Sequence, residues 1–256
     1  MAEERYWEID LLRGLAVVGM VAYHFILNYY WTFGSIPYDI TWFMIGRITS
    51  ITFITLVGLS LTISYSRASK RIKNGRRLFA KYLKRGLKIF CLGLIVTAAS
   101  YLWLRIGFIL FGILHFIGVS IILAYPFLLF GKKSGLRRSN VANLIFAITF
   151  IIAGLAFETF AVGFPWLLPI GIAPAGFYTY DYFPIFPWFS LVLIGLYLGN
   201  ELYPRGERSE ELKFFERIKI ENPLTKLMCF LGRHSLTIYF LHAPILILVF
   251  YILRFL

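Results

Sequence analysis

The chain has 256 residues, of which 59% are apolar, 19% aromatic and only 15% charged. That balance excludes an ordinary soluble domain, and the unbroken apolar runs exclude a β-barrel, whose strands alternate apolar and polar residues. The net charge of +13 does not point to nucleic acid as a partner, because the basic residues cluster between the apolar runs, where orientation in a membrane is written.

The pattern predicts an all-α polytopic membrane helix bundle, a single membrane-embedded domain over residues 1–256. Seven spans are expected, at about 9–30, 43–65, 87–104, 111–130, 141–160, 186–202 and 235–253. Glu3, Glu4 and Glu8 make a poor signal-peptide n-region, so the first run reads as a retained span. Arg67, Lys70, Arg71, Lys73, Arg76, Arg77, Lys81, Lys84, Arg85 and Lys88 separate spans two and three with no acid among them. Lys132, Lys133, Arg137 and Arg138 follow span four. Arg205, Arg208, Lys213, Arg217, Lys219 and Lys226 follow span six. The remaining gaps are nearly free of Lys and Arg. The positive-inside rule then puts the N-terminus in the cytoplasm and the C-terminus outside, with the plasma membrane as the expected location. Trp31, Trp42, Trp103, Trp166 and Trp188 fall at predicted outer ends, where an aromatic belt sits. Cys91 and Cys229 fall near the inner side and are expected as free thiols.

Between the spans, residues 205–220 mix charge with Leu212, Phe214, Phe215 and Ile218, and predict an amphipathic helix on the inner surface. Residues 161–187 are too apolar for a free loop and are expected to fold back as a cap or re-entrant segment. Gly195 and Gly199 have the spacing that lets two helix backbones approach closely.

Ionisable side chains are costly at membrane depth, which makes those inside spans candidates for function. Asp10, Arg13 and His24 lie in the first apolar run. Arg13 and His24 are eleven residues apart, which returns to within about 20° of one helix face and spans about 16 Å of its axis. An elongated ligand with an anionic head at Arg13 and a reactive end at His24 fits that spacing. His24 is the candidate catalytic base or acyl relay, against a plain hydrogen bond to a neighbouring helix. Arg13 is the candidate anion binder, against a simple pair with Asp10 one turn away. Lys84, Arg85, Lys88 and Arg233 are expected at the same level and extend the anion site, or act only as orientation signals. His115 in span four and His242 in span seven are candidates for contact with an acceptor, or buried structural groups. On the outer side, Glu158 and Asp181 are acids apart from Asp39, and Tyr178, Tyr180 and Tyr182 flank Asp181. That set suits a polar acceptor such as a sugar; the alternative is a hydrogen bond that staples the loop. No metal-ligand spacing, nucleotide loop or Ser-His-Asp order stands out, and haem held by membrane histidines stays open as a rival.

At Ile9-Asp10-Leu-Leu-Arg13-Gly-Leu-Ala the chain resembles the integral-membrane acyltransferase superfamily, and Arg13 with His24 matches the Arg-x10-His pattern of its type-three O-acyltransferase branch. Three further stretches resemble the heparan-α-glucosaminide N-acetyltransferase catalytic-domain family. They are Phe111-Gly-Ile-Leu-His-Phe-Ile-Gly118, Asp181-Tyr-Phe-Pro-Ile-Phe-Pro-Trp188 through Gly199, and Leu231-Gly-Arg-His-Ser through His242-Ala-Pro. With residues 52–64 the resemblance covers nearly the whole chain. It implies an acyl-CoA donor, usually acetyl-CoA, taken from the cytoplasm, and no metal. The acyl group passes to a hydroxyl or amine, often of a sugar or glycolipid, reached from the other side. By this resemblance Arg13 contacts the CoA moiety and His24 is the catalytic histidine. The chain carries His115 where the family's lysosomal enzymes carry Gln, which argues against glucosamine of heparan sulfate as acceptor. A transporter or scaffold on the same bundle is the competing reading. A homodimer is the default expectation for assembly.

Overall fold

The computed structural model describes residues 5–34, 39–104, 107–218 and 220–254. Glu3, Glu4 and Lys219, named above, lie outside them. The chain runs through α1 (Trp7–Phe33), α2 (Ile40–Arg71), α3 (Gly75–Leu104), α4 (Ile113–Ser134) and α5 (Leu136–Phe157). It continues through β1 (Ala161–Val162), β2 (Ala173–Pro174), α6 (Ile185–Leu202), α7 (Pro223–Arg233) and α8 (Ser235–Leu253). Among the described residues seven helices, all but α7, are long and apolar enough to cross a membrane. The protein is an integral membrane protein with an all-α bundle. Side chains such as Leu94, Ile95, Ile145, Ile152 and Leu248 are more than 45% exposed along these helices, as lipid-facing positions are.

Several helices outrun the expected spans. About 20 residues cross the hydrocarbon, yet α2 has 32 and α3 has 30. The excess is basic. Lys and Arg are good helix formers, so Arg67 to Arg71 and Arg76 to Lys88, read above as a gap, are helical extensions beyond the apolar run. Asn74 marks the break, its Oδ1 accepting from the backbone N–H groups of Arg76 and Arg77 at 3.0 and 3.2 Å.

Contacts divide the chain into two compact units, residues 1–56 with 213–256, and residues 57–212, the division falling inside α2. In the first unit, α7 runs antiparallel to α1. A Cβ on Gly14 would sit 1.9 Å from Met228 O, and one on Gly232 would sit 1.8 Å from Asp10 O, so both glycines are required for backbone contact. After a turn at His234, α8 runs parallel to α1, with His242 beside His24 and Phe250 beside Phe25 and Tyr29.

The helix expected at 205–220 is not present. That stretch forms two short 3-10 turns, Pro204–Gly206 and Glu210–Glu216. The α-helix lies further on, at α7, where Asn222 accepts from Leu224 N and Pro223 opens the first turn. The charges of 205–217 favour turns because they have no apolar face long enough to lie against.

In the second unit Phe116, Ile121, Phe189, Val192, Leu193 and Leu196 form the core between α4 and α6. A Cβ on Gly58 would sit 2.1 Å from Val192 O and 3.0 Å from Gly195 Cα, and Gly199 faces Thr62, so the small residues of α6 carry its close approach to α2. The segment before α6 folds back as a cap. β1 and β2 pair in parallel around a 3-10 turn at Pro165–Ile170. Tyr180 N donates to Gly107 O, Phe183 N to Phe111 O and Tyr182 OH to Leu168 O.

Candidate functional site

Two imidazoles meet in the first unit. His242 Nε2 lies 3.3 Å from His24 Nδ1, with ring centroids 4.8 Å apart. His24 Nδ1 is also 2.9 Å from Met20 O, and His242 Nδ1 is 2.6 Å from Tyr239 O. A carbonyl oxygen only accepts, so each Nδ1 carries a hydrogen. His242 Nε2 is then a bare acceptor facing the His24 Nδ1–H. By elimination the neutral His24 ring has its lone pair on Nε2, the atom a general base needs. His242 is 8% exposed and His24 half-buried, so the pair is shielded without being sealed. With nitrogens 3.3 Å apart, the two rings leave no space between them for the plane of a haem.

Below His24 on α1, Arg13 Nη1 donates to Asp10 Oδ1 at 2.9 Å, and Arg5 Nε lies 3.5 Å from Asp10 Oδ2. Asp10 is buried and sits in the first turn of α1, where the helix dipole favours a carboxylate. The pair therefore holds the guanidinium, which has more donors than one carboxylate can take. Above His24, Asn28 Nδ2 donates to His24 O at 2.7 Å and Thr32 Oγ1 to Asn28 O at 2.8 Å. Arg13, His24, Asn28 and Thr32 make a polar stripe within about 100° of α1. Cys229 on α7 is buried, its Sγ 3.5 Å from Trp7 O. Burial pushes its thiol above the usual range, and the charges of Asp10 and Glu8 add to this while Arg233 opposes it. Arg233 is exposed, its Nε donating to Cys229 O.

The second unit holds the other candidates. His115 is 2% exposed. Gly112 N donates to its Nδ1 at 3.3 Å, which leaves Nε2 protonated and aimed at Thr97 Oγ1 at 3.4 Å. Thr97 in turn donates to Ile109 O at 2.6 Å. Phe111 stacks on the ring and Phe90 meets its edge. Both nitrogens of His115 are thus engaged by the α3–α4 connection. Asp181 Oδ2 accepts from Ile113 N at 3.0 Å, at the first turn of α4. Tyr178 is exposed and packs edge-on against Tyr180; burial and the Tyr180 hydrogen bond raise its hydroxyl above the usual value. Burial pushes the Tyr182 hydroxyl up to about 12. Glu158 closes the C-terminus of α5 and is exposed. Lys84, Arg85 and Lys88 are exposed on α3.

The sequence profile described as "Heparan-alpha-glucosaminide N-acetyltransferase, catalytic" matches residues 5–244. The chain belongs to this family. Membership implies a membrane transferase of the acetyltransferase kind, with acetyl-CoA as the donor. Comparison with curated proteins and with solved structures finds no match.

The sequence singled out every residue of the His24–His242 pair and the Arg13–Asp10 pair, but joined only the latter. His242 lies seven residues into α8 and His24 seventeen into α1. Counting from the helix starts therefore puts the two at different depths. The α1–α7 contact cancels that difference, because it sets Gly232 level with Asp10. Asn28 and Thr32 gave a readable signal, since they follow His24 at steps of four.

Proposed function

We propose that this family member transfers an acetyl group from acetyl-CoA to a hydroxyl or amine, with a sugar or glycolipid as the acceptor class, and that His24 is the catalytic base. The observation that carries this reading is the hydrogen-bond geometry of the histidine pair, from which a lone pair on His24 Nε2 follows. Acetyl-CoA supplies the activated thioester. As the acceptor atom bonds to the acetyl carbonyl carbon, His24 Nε2 takes its proton and the carbon–sulfur bond breaks. His24 then returns the proton to the departing thiolate. While His24 is charged, its Nδ1–H donates to His242 Nε2 and Met20 O, which stabilises the imidazolium.

Arg13 holds the phosphates of the donor, about 16 Å along α1 from His24, a length of the order of an extended pantetheine arm. The basic ends of α2 and α3 support placing this end at the cytoplasm of the plasma membrane, with the C-terminus outside. Lys84, Arg85 and Lys88, exposed on α3, are positive charges of the kind that attracts an anionic donor. His115 and Asp181 fix the cap against α4, and Tyr178 and Glu158 border the outer face from which an acceptor approaches.

Purified protein in nanodiscs, given acetyl-labelled acetyl-CoA and a panel of sugars and glycolipids, tests this. Wild type releases CoA and labels an acceptor; His24→Ala does not, and Arg13→Ala raises the KM for acetyl-CoA. Transfer that survives both substitutions removes the assignment. Solute uptake into liposomes without acetyl-CoA would favour a transporter instead.

A further inference from the structure

The second unit contains a cleft whose lining includes none of Arg13, His24 and His242. It has a volume of about 420 Å³ and opens between the basic ends of α2, α4 and α5 and the C-terminal end of α6. That is within the range of small-molecule sites. Lys70, Lys132 and Arg205 line it. Lys70 carries an ion pair to Glu207 at 3.0 Å. That pairing holds the Glu207 carboxyl below its usual range, and the charges of Arg205 and Arg67 lower it further, so the rim is a positive field. Arg205 has φ 57 and ψ 17, a left-handed conformation that a non-glycine residue adopts only where its surroundings impose it.

The walls hold polar groups without a hydrogen-bond partner among the described residues. Tyr65, Tyr82 and Tyr125 form one ring cluster. Tyr82 OH donates to Ser64 Oγ and Tyr125 OH to Gly75 O, whereas the buried Tyr65 OH has no partner among the described residues. Tyr65 lines the cleft, and so does Asn143, which is 2% exposed and makes no side-chain hydrogen bond among the described residues. Leaving the buried Tyr65 hydroxyl unmatched costs about 1–3 kcal/mol, and folds seldom keep such a group without an occupant. Asn200 also lines the cleft; its Nδ2 donates to Asn140 Oδ1 at 2.8 Å, so its carbonyl oxygen is what it offers. Cations at the mouth, with a hydroxyl and amides inside, match a ligand that is anionic at one end and hydroxylated at the other.

We propose that this cleft binds a phosphate ester bearing hydroxyl groups, its phosphate between Lys132 and Arg205 and its hydroxyls on Tyr65, Asn143 and Asn200. The same chemistry belongs to a glycerol-type phospholipid headgroup and to a soluble polyol phosphate. The proposal does not depend on the acetyl-transfer reading.

The test uses the full chain in phosphatidylcholine nanodiscs with two probes. Phosphatidylglycerol mixed into the disc is scored by native mass spectrometry of the retained lipid, and soluble sn-glycerol 3-phosphate by calorimetry. Wild type should bind one probe at a single site. Lys132→Gln with Arg205→Gln should weaken it by about tenfold or more, and Tyr65→Phe by a few-fold. The control Arg137→Gln with Arg138→Gln removes equal charge outside the cleft and should leave affinity unchanged. Retention of the lipid alone identifies a headgroup site; binding of the soluble ester alone identifies a small-molecule site. If wild type binds neither probe, or if the control loses as much as the cleft variants, the proposal is wrong. Should the double variant fail to fold, Tyr65→Phe decides the matter alone.

Discussion

His115 and His24 are both imidazoles on apolar helices, and they differ in where the second ring nitrogen goes. In the second unit His115 spends one nitrogen on Gly112 N and the other on Thr97, under two aromatic rings. In the first unit His24 Nδ1 meets Met20 O and His242 Nε2, His242 Nδ1 is held by Tyr239 O, and His24 Nε2 is left as the basic atom. A histidine with both nitrogens committed stabilises a fold; one held by a single nitrogen is oriented for proton transfer. The two sites therefore predict opposite responses to the same substitution.

The largest effect belongs to His24→Ala, which should lower the acetyl-transfer rate by about 10²–10⁴-fold while leaving the melting temperature nearly unchanged. His115→Ala should do the reverse. It removes the acceptor for Gly112 N and opens a void, for a stability loss of about 2–4 kcal/mol seen by thermal unfolding in detergent, with rate per folded molecule retained. Activity assays normalised to folded protein separate the two, and parallel behaviour of both variants would break the contrast.

Gly232→Ala probes what places the histidine pair. Its Cβ would sit 1.8 Å from Asp10 O, so α1 and α7 must separate, at about 1–3 kcal/mol of stability and with a lower rate. His242→Phe removes the acceptor for the His24 Nδ1–H and should reduce kcat by about tenfold with the KM for acetyl-CoA unchanged. His242→Gln, whose amide oxygen can accept in its place, should recover most of that loss. A smaller effect is expected at Cys229. Burial and the nearby acids keep it protonated, so at pH 8 iodoacetamide should modify it more slowly than a cysteine in an unfolded peptide. Equal rates would mean that α7 does not stay docked on α1.

The seven spans were legible because an apolar run as long as the hydrocarbon is thick has one ready use. The run does not say where a helix ends, because Lys and Arg continue α2 to Arg71 and begin α3 at Gly75 without any apolar signal. α7 was hidden for a related reason. Its 11 residues are too few to read as a span, and the charged stretch before it looked more helical than it is. Asn222-Pro223 was the overlooked start signal. Within the site, the Asp10–Arg13 pair was local and could be read off one helix. The His24–His242 contact joins residues 218 apart, and only the α1–α7–α8 register brings them level. His115 was ambiguous because its partners, Gly112 N and Thr97, depend on how α3 connects to α4.

Nitrogen-15 spectra of histidine-labelled protein, with His24 assigned by substitution, test the basis of the account most directly. The prediction is a neutral His24 ring with hydrogen on Nδ1 and a bare Nε2, changed when His242 becomes Phe. A His24 ring that carries its hydrogen on Nε2, or one indifferent to His242, would contradict it.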